Sequence, residues 1–237
     1  MKLLADTQKI IEQFIRTRVN DAGAKGVVLG LSGGIDSAAT LALSASALGS
    51  DNVLGLIMPF KTSESIMLAS NHAKNLGVKT IEYNISDVVT SFKEVSNHYS
   101  SKAAEGNLHS RVRMSLLYGE AFSSNCLVIG TSNKSELLVG YYTKWGDGAS
   151  DFLPIGDLYK TQVYEISKHL DVPSEIIGRP PTAELWEGQT DELELGIDYA
   201  TLDQILLGLE RQISKKDLSS KSGIGIDLIE KIENLIK

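Results

Sequence analysis

The chain has 237 residues, 42% of them hydrophobic and 22% charged, with a formal net charge of −7. That length suffices for one α/β domain over residues 1–237 with a full core, and the acidic balance argues against nucleic-acid binding through a basic face. No apolar stretch is long enough to span a membrane, and the single cysteine, Cys126, excludes an internal disulfide or a cysteine-built metal cluster and suits a reducing cytoplasm.

The first residues open an amphipathic helix, not a signal peptide, with Ile11, Phe14 and Ile15 on one face. An apolar run at 26–31 is the first strand. It enters the octapeptide Gly30-Leu31-Ser32-Gly33-Gly34-Ile35-Asp36-Ser37, and an alanine-rich helix follows over 37–48, ending at Gly49. In a strand, glycine turn and helix start of this kind, backbone N–H groups point into one concavity. The helix N-terminus adds its positive end, which suits a phosphate chain. Ser32 and Ser37 add hydroxyl donors, and Asp36 offers a carboxylate to the magnesium that accompanies polyphosphate. The loop lacks both the Gly-Lys-Ser/Thr ending of a Walker loop and the spaced glycines of a dinucleotide fingerprint. A glycine turn that merely ended a strand would require neither both serines nor the aspartate.

Further strands are expected at 53–58, 80–85 and 127–130, with Cys126 buried in the last apolar run. One intervening helix starts at the N-cap Ser63, aligns Ile66, Ala69, Ala73 and Leu76, and stops at Gly77; another covers 108–123. The alternation predicts a doubly wound, mostly parallel sheet of about five strands with helices on both faces. Ligands of such sheets bind beyond the carboxyl ends of the strands, so the glycine loop and the loop beginning at Thr131 are expected to face one crevice. The stretch 130–160 is dense in polar groups: Thr131, Asn133, Glu136, Lys144, Asp147, Asp151, Asp157 and Lys160. Glu136 follows a buried strand end and is placed to reach the same magnesium as Asp36. Helices are expected over 160–170, 202–213 and 227–237. The turn-rich segment 178–189 between two of them reads as a mobile functional loop, and 180–192 as a lid that would exclude water. The four histidines share no metal-ligand spacing.

The octapeptide resembles the pyrophosphate loop of the N-type ATP pyrophosphatases, which cut ATP between its α and β phosphates. Further runs resemble NAD synthetase in order along the chain. They are Arg111-Val112-Arg113-Met114, Gly130-Thr131-Ser132-Asn133-Lys134-Ser135-Glu136, Gly140-Tyr141-Tyr142-Thr143-Lys144-Trp145-Gly146-Asp147-Gly148, Leu158-Tyr159-Lys160-Thr161-Gln162-Val163 and Pro180-Pro181-Thr182-Ala183-Glu184-Leu185-Trp186. Gln189-Thr190-Asp191-Glu192 and Leu195-Gly196-Ile197-Asp198-Tyr199 continue the likeness, which runs from about residue 10 to 230.

The resemblance implies an adenine nucleotide α-hydrolase-like fold and an ATP-dependent amidation of deamido-NAD (nicotinic acid adenine dinucleotide) by ammonia. It further implies that Gly30, Leu31, Ser32, Gly33, Gly34, Ile35, Asp36 and Ser37 hold the ATP polyphosphate, with Thr131, Lys160 and Thr182 in contact with ATP. Asp36 and Glu136 would bind magnesium. Arg111, Lys144 and Asp151 would contact deamido-NAD, Lys144 reaching into a neighbouring subunit of a cytoplasmic homodimer. Asp36, Lys160 and Asp151 are the catalytic candidates, and Asp147 and Asp151 are candidates for the base that deprotonates ammonium. About 25 residues precede the first strand, without the glutaminase domain of longer relatives, so free ammonia is the expected nitrogen source. A basic tail that helps to close the dinucleotide site in the family does not follow Asn234-Leu235-Ile236-Lys237, which puts activity, or affinity for deamido-NAD, in question.

Plainer accounts exist for several of these residues. Arg111 and Arg113 could be solvated, Lys144 could pair with Trp145, and Lys160 could sit on the surface of a helix's first turn. Another pyrophosphate-loop synthetase, such as that of GMP, is one alternative to the family reading. A non-catalytic adenine-nucleotide sensor is a second, and an inactive paralogue a third.

Overall fold

Short runs of valine, leucine and isoleucine make the two central strands of the sheet, which are covered on both faces, as a parallel sheet requires. The computed structural model describes residues 3–61, 63–182, 186 and 188–236. In chain order its elements are α1 (Thr7–Asp21), β1 (Gly26–Gly30), α2 (Ile35–Leu48), β2 (Val53–Ile57), α3 (Glu64–Asn75), β3 (Lys79–Glu82), α4 (Ser86–Val95), α5 (Lys102–Ser124), β4 (Cys126–Val128), α6 (Lys134–Val139), α7 (Lys160–His169), α8 (Ser174–Ile177), α9 (Asp191–Leu195), α10 (Tyr199–Glu210), α11 (Lys215–Ser222) and α12 (Ile226–Ile236). The strands run parallel in the order β3-β2-β1-β4, with Val27 of central β1 opposite Val53 and Leu127.

The two-residue period of β1 divides the core. Val27 and Leu29 pack with Ile15, Leu41, Ala69 and Val163 of α1, α2, α3 and α7. Val28 packs with Leu56, Val89 of α4 and Leu108, Val112 and Leu117 of α5. This is the doubly wound arrangement expected from the sequence. A third cluster forms where Leu202, Ile205 and Leu206 of α10 meet Leu218 of α11 and Ile229 and Ile232 of α12.

The sheet has four strands among the described residues, one fewer than the approximate sequence expectation. The fifth position survives as a single parallel bridge between Ile129 and Phe152, flanked by Asp151 N donating to Val128 O and Gly130 N donating to Phe152 O, both at 2.9 Å. Pro154 has no N–H to continue that ladder. Cys126 is half-buried rather than buried, because β4 pairs with β1 and has only this bridge beyond it. On α1 the buried stripe is Ile11, Ile15 and Val19. Phe14 remains 40% exposed, edge-on to Phe152 at 5.7 Å. Helix α5 begins six residues before the sequence expectation, where Ser101 Oγ accepts Ala104 N–H at 3.2 Å. The expected lid includes residues 183–185 and 187, which lie outside the described residues.

Candidate functional site

The glycine loop leaves β1 at the centre of the sheet, where Leu31 N donates to Leu56 O at 2.8 Å. Gly33 turns the chain at φ +79°, and a Cβ there would lie 2.4 Å from Ser65 O, so only glycine fits on both counts. Gly34 is the N-cap of α2 and donates its N–H to Ser32 Oγ at 3.1 Å. Ser37 Oγ donates to Gly34 O at 2.9 Å and sits 3.2 Å from Ser32 Oγ. The two hydroxyls therefore hold the turn's shape. Asp36 lies in the first turn of α2, at the positive end of the helix.

The loop after β4 meets Asp36 through Asn133. This asparagine is fully buried and caps α6: Oδ1 accepts Glu136 N at 3.1 Å, while Glu136 Oε2 accepts Asn133 N at 3.2 Å. Its Nδ2 donates to Asp36 Oδ1 at 2.9 Å, so one side chain orients both carboxylates. Lys160, the first residue of α7, is only 2% exposed. Its Nζ lies 2.6 Å from Asp36 Oδ2 and 3.2 Å from Glu136 Oε1. A surface position for Lys160 is thereby ruled out, and the two loops meet around its ammonium.

The backbone of Lys160 is equally fixed. Its N–H donates to Ser135 Oγ at 2.9 Å; that hydroxyl donates to Asp203 Oδ1 at 2.5 Å, and Asp203 Oδ2 accepts Thr161 N at 2.8 Å. The ammonium also lies 4.9 Å from the centre of the Tyr199 ring. Behind that ring, Asp191 accepts Tyr199 OH on Oδ2 and Tyr141 OH on Oδ1, each at 3.2 Å. Burial pushes the Glu136 carboxyl up to about 8; the attraction of Lys160 opposes the shift and the charge of Asp36 adds to it. Burial works against the charge on Lys160, yet Asp36 and Glu136 outweigh it and hold the ammonium well above the ordinary lysine range.

A second group sits on α5 and the glycine-rich loop that follows α6. Ser110 Oγ donates to Asp147 Oδ1 at 2.6 Å, Thr143 Oγ1 donates to Asn107 Oδ1 at 2.8 Å, and Arg111 Nε donates to Lys144 O at 3.1 Å. A Cβ on Gly146 would lie 2.3 Å from Ser110 Oγ, so the loop is drawn tightly onto the helix. Arg111 and the Lys144 segment are thus brought together. Lys144 Nζ also lies 5.6 Å over the exposed Trp145 ring, so the pairing weighed as a plainer account is present. Arg113 Nε donates to Met58 O at 2.9 Å. Asp151 is engaged at the edge of β4: Oδ2 accepts Val128 N at 2.7 Å and Oδ1 accepts Tyr118 OH at 3.4 Å. Thr131, just past β4, and Thr182, after Pro181, are both half-buried. Sequence reasoning gave no role to Asn133, Ser135, Asp191, Tyr199 or Asp203. Asn133-x-x-Glu136 carries a local signal, the capping-box spacing; the others are joined by contacts between distant segments.

A helix N-terminus and glycine nest at the end of a central parallel strand, beside a buried lysine shared by two carboxylates, define an α/β enzyme that handles a nucleotide polyphosphate. The NAD synthase family model matches residues 7–237. The NH(3)-dependent NAD(+) synthetase of Thermococcus sibiricus is 44% identical over 236 residues, covering 98% of this chain and 93% of that protein. Among solved structures, the NH3-dependent NAD synthetase of Campylobacter jejuni, in complex with the nitrate ion, superposes with a TM-score of 0.84 at 33% identity. It covers all of this chain and 94% of its own. The NMN synthetase of Francisella tularensis gives a TM-score of 0.86 at 32% identity, covering 98% and 92%. The chain belongs to the NAD synthase family.

Proposed function

We infer that this chain is an ammonia-dependent ligase that converts deamido-NAD to NAD, with cleavage of ATP to AMP and pyrophosphate. The observation that carries this reading is Lys160, buried at the glycine loop between Asp36 and Glu136. A carboxylate is a poor electrophile, because ammonia cannot displace its oxide. One nicotinate oxygen attacks the α-phosphorus of ATP, the bond to the bridging oxygen breaks, and pyrophosphate leaves. The resulting NAD-adenylate has AMP as a good leaving group. Ammonia attacks its carbonyl carbon, the C–N bond forms, the nitrogen gives up one proton to solvent, and AMP departs with the former carboxylate oxygen.

The loop from Gly30 to Ser37 receives the polyphosphate at the N-terminus of α2, and Lys160 stabilises charge growing on the departing pyrophosphate. Asp36 and Glu136 suit magnesium, since each turns one oxygen towards the same cation. Among the described residues no three acidic, histidine or cysteine side chains group to hold a metal unaided, which fits an ion that takes the rest of its shell from phosphate and water. When bound, magnesium neutralises triphosphate charge. Thr131 and Thr182 complete the ATP contacts. Arg111 and Lys144 bind the dinucleotide, Arg111 through the planar fork that suits oxyanions. Asp151 contributes to the same subsite. Its carboxylate already accepts two hydrogen bonds, which favours positioning over proton abstraction.

The protein acts as a cytoplasmic homodimer. Among the described residues no helix is long and apolar enough to cross a membrane, and Phe122, near the end of α5, is left exposed for a second copy to cover.

The test is a discontinuous assay with magnesium, ATP, deamido-NAD and ammonium chloride, separated by chromatography. NAD, AMP and pyrophosphate in equal amounts, with glutamine unable to replace ammonium, are expected. ATP left intact would refute the reading. The likeness to the NMN synthetase motivates a second arm in which the corresponding mononucleotide acid competes with deamido-NAD. Preference for the mononucleotide would reassign the substrate and keep the chemistry.

A further inference from the structure

Asp191 is 4% exposed, and its carboxylate is not among the groups that face Lys160 directly. It joins three separate parts of the chain. Oδ2 accepts the hydroxyl of Tyr199, at the start of α10, and Oδ1 accepts that of Tyr141, just after α6, both at 3.2 Å. The Asp191 N–H donates to Pro181 O at 3.0 Å, next to Thr182. The Tyr199 hydroxyl fixes the tilt of a ring whose centre lies 4.9 Å from Lys160 Nζ. The single Tyr141 hydroxyl proton is shared with Glu194 Oε2, the nearer acceptor at 2.5 Å, and Gln189 Nε2 donates to the same oxygen at 2.9 Å, so the Tyr199 hydroxyl is the firmer of the two anchors on Asp191.

We propose that Asp191 is a positioning residue for adenylation, setting the Lys160 ammonium through the Tyr199 ring and Thr182 through the Pro181 carbonyl. The proposal rests on the functional reading above. Its logic is geometric. A cation over a ring face is held by the ring's orientation, and the ring has one polar anchor. Lys160 approaches a departing phosphate only if it can release Asp36 and Glu136 without losing all its partners, and the Tyr199 face remains beneath it throughout. A misplacement of about 1 Å in such a group costs on the order of 100-fold in rate. Asp191 therefore acts on the chemical step and leaves the dinucleotide subsite on α5 untouched.

The experiment compares Asp191→Asn, Tyr199→Phe and the double variant with the wild type, which is assayed first for NAD formation. A silent wild type would overturn the functional reading, whereas normal wild-type turnover makes the variants a test of Asp191 alone. Tyr199→Phe keeps the ring and removes its anchor; Asp191→Asn keeps the shape but replaces one accepting oxygen with an N–H donor, so the side chain no longer accepts from both hydroxyls. Each single variant should lower kcat at least tenfold, with KM for deamido-NAD within twofold and the thermal midpoint within a few degrees of wild type. The double variant should be no slower than the slower single, because both break one linkage. Effects that multiply, a kcat within threefold of wild type, or a loss confined to KM for deamido-NAD would each overturn the proposal. Asp191→Glu, which can still accept both hydroxyls, should recover part of the lost kcat; failure to do so would also count against it.

Discussion

Lys160 is the residue on which the site turns. Its ammonium is shared by Asp36 and Glu136 and is shut off from water. Lys160→Met should lower kcat for NAD formation by about 10² or more, the scale of losing one preorganised charge at a transition state. A fall of less than tenfold would place the lysine away from the departing phosphate. His109 gives a second residue-scale prediction. It stacks on Phe60 with ring centres 4.2 Å apart, and among the described residues neither ring nitrogen has a hydrogen-bond partner. Burial, aided by the charge of Arg113, lowers its pKa to about 4 from an ordinary 6.5. Between those values the unfolded chain binds the extra proton and the folded chain does not, so stability falls as pH drops from about 6.5 towards 4. Thermal midpoints measured across that window should slope less steeply in His109→Phe than in wild type.

Elements put these residues in place, and elements were unevenly legible in the sequence. The glycine loop could be read whole, because strand, turn and helix start are contiguous and glycine has few competing uses there. Glu136 beside Asp36 followed from the rule that ligands sit beyond the strand ends. For α5 the sequence predicts a shorter helix, since Gly106 and Asn107 have low helix propensity, and the Ser101 cap and burial of Leu108 explain their inclusion. The short helices α6, α8 and α9 were not read, because four to six residues give too little periodicity. The link from Asp203 to Lys160 was invisible, because Ser135 and Asp203 lie 68 residues apart. Asp203 is 1% exposed and accepts both Ser135 Oγ and Thr161 N. Asp203→Ala leaves a buried hydroxyl and a helix-start N–H unsatisfied and should cost about 2–4 kcal/mol of stability, read by urea unfolding. It should also slow turnover, because α7 carries Lys160. An unfolding midpoint equal to wild type would show that water replaces the carboxylate.

At the scale of the whole molecule, the parallel order β3-β2-β1-β4 sets the glycine loop at the middle of the sheet, and α4 and α5 end with Val95 and Phe122 about nine-tenths exposed. Phe122→Lys should shift a dimer towards monomer in sedimentation at micromolar concentration. Because Lys144 is read as serving the neighbouring subunit, KM for deamido-NAD should rise in the same variant. A monomeric wild type of full activity would contradict both the dimer and that role.

The reach of the contacts around Lys160 also bears on how the enzyme comes into being. Asp36 and Lys160 are 124 positions apart, Asp36 and Asn133 are 97, and Thr161 and Asp203 are 42. Such separations slow folding, because long loops must close before their contacts offset the entropy. During synthesis the glycine loop emerges early, yet its lysine cannot be locked in place until Asp203 has been made. The site is therefore complete only when segments from the first and last parts of the chain have met, and the glycine turn by itself lacks the charge that Lys160 brings to it.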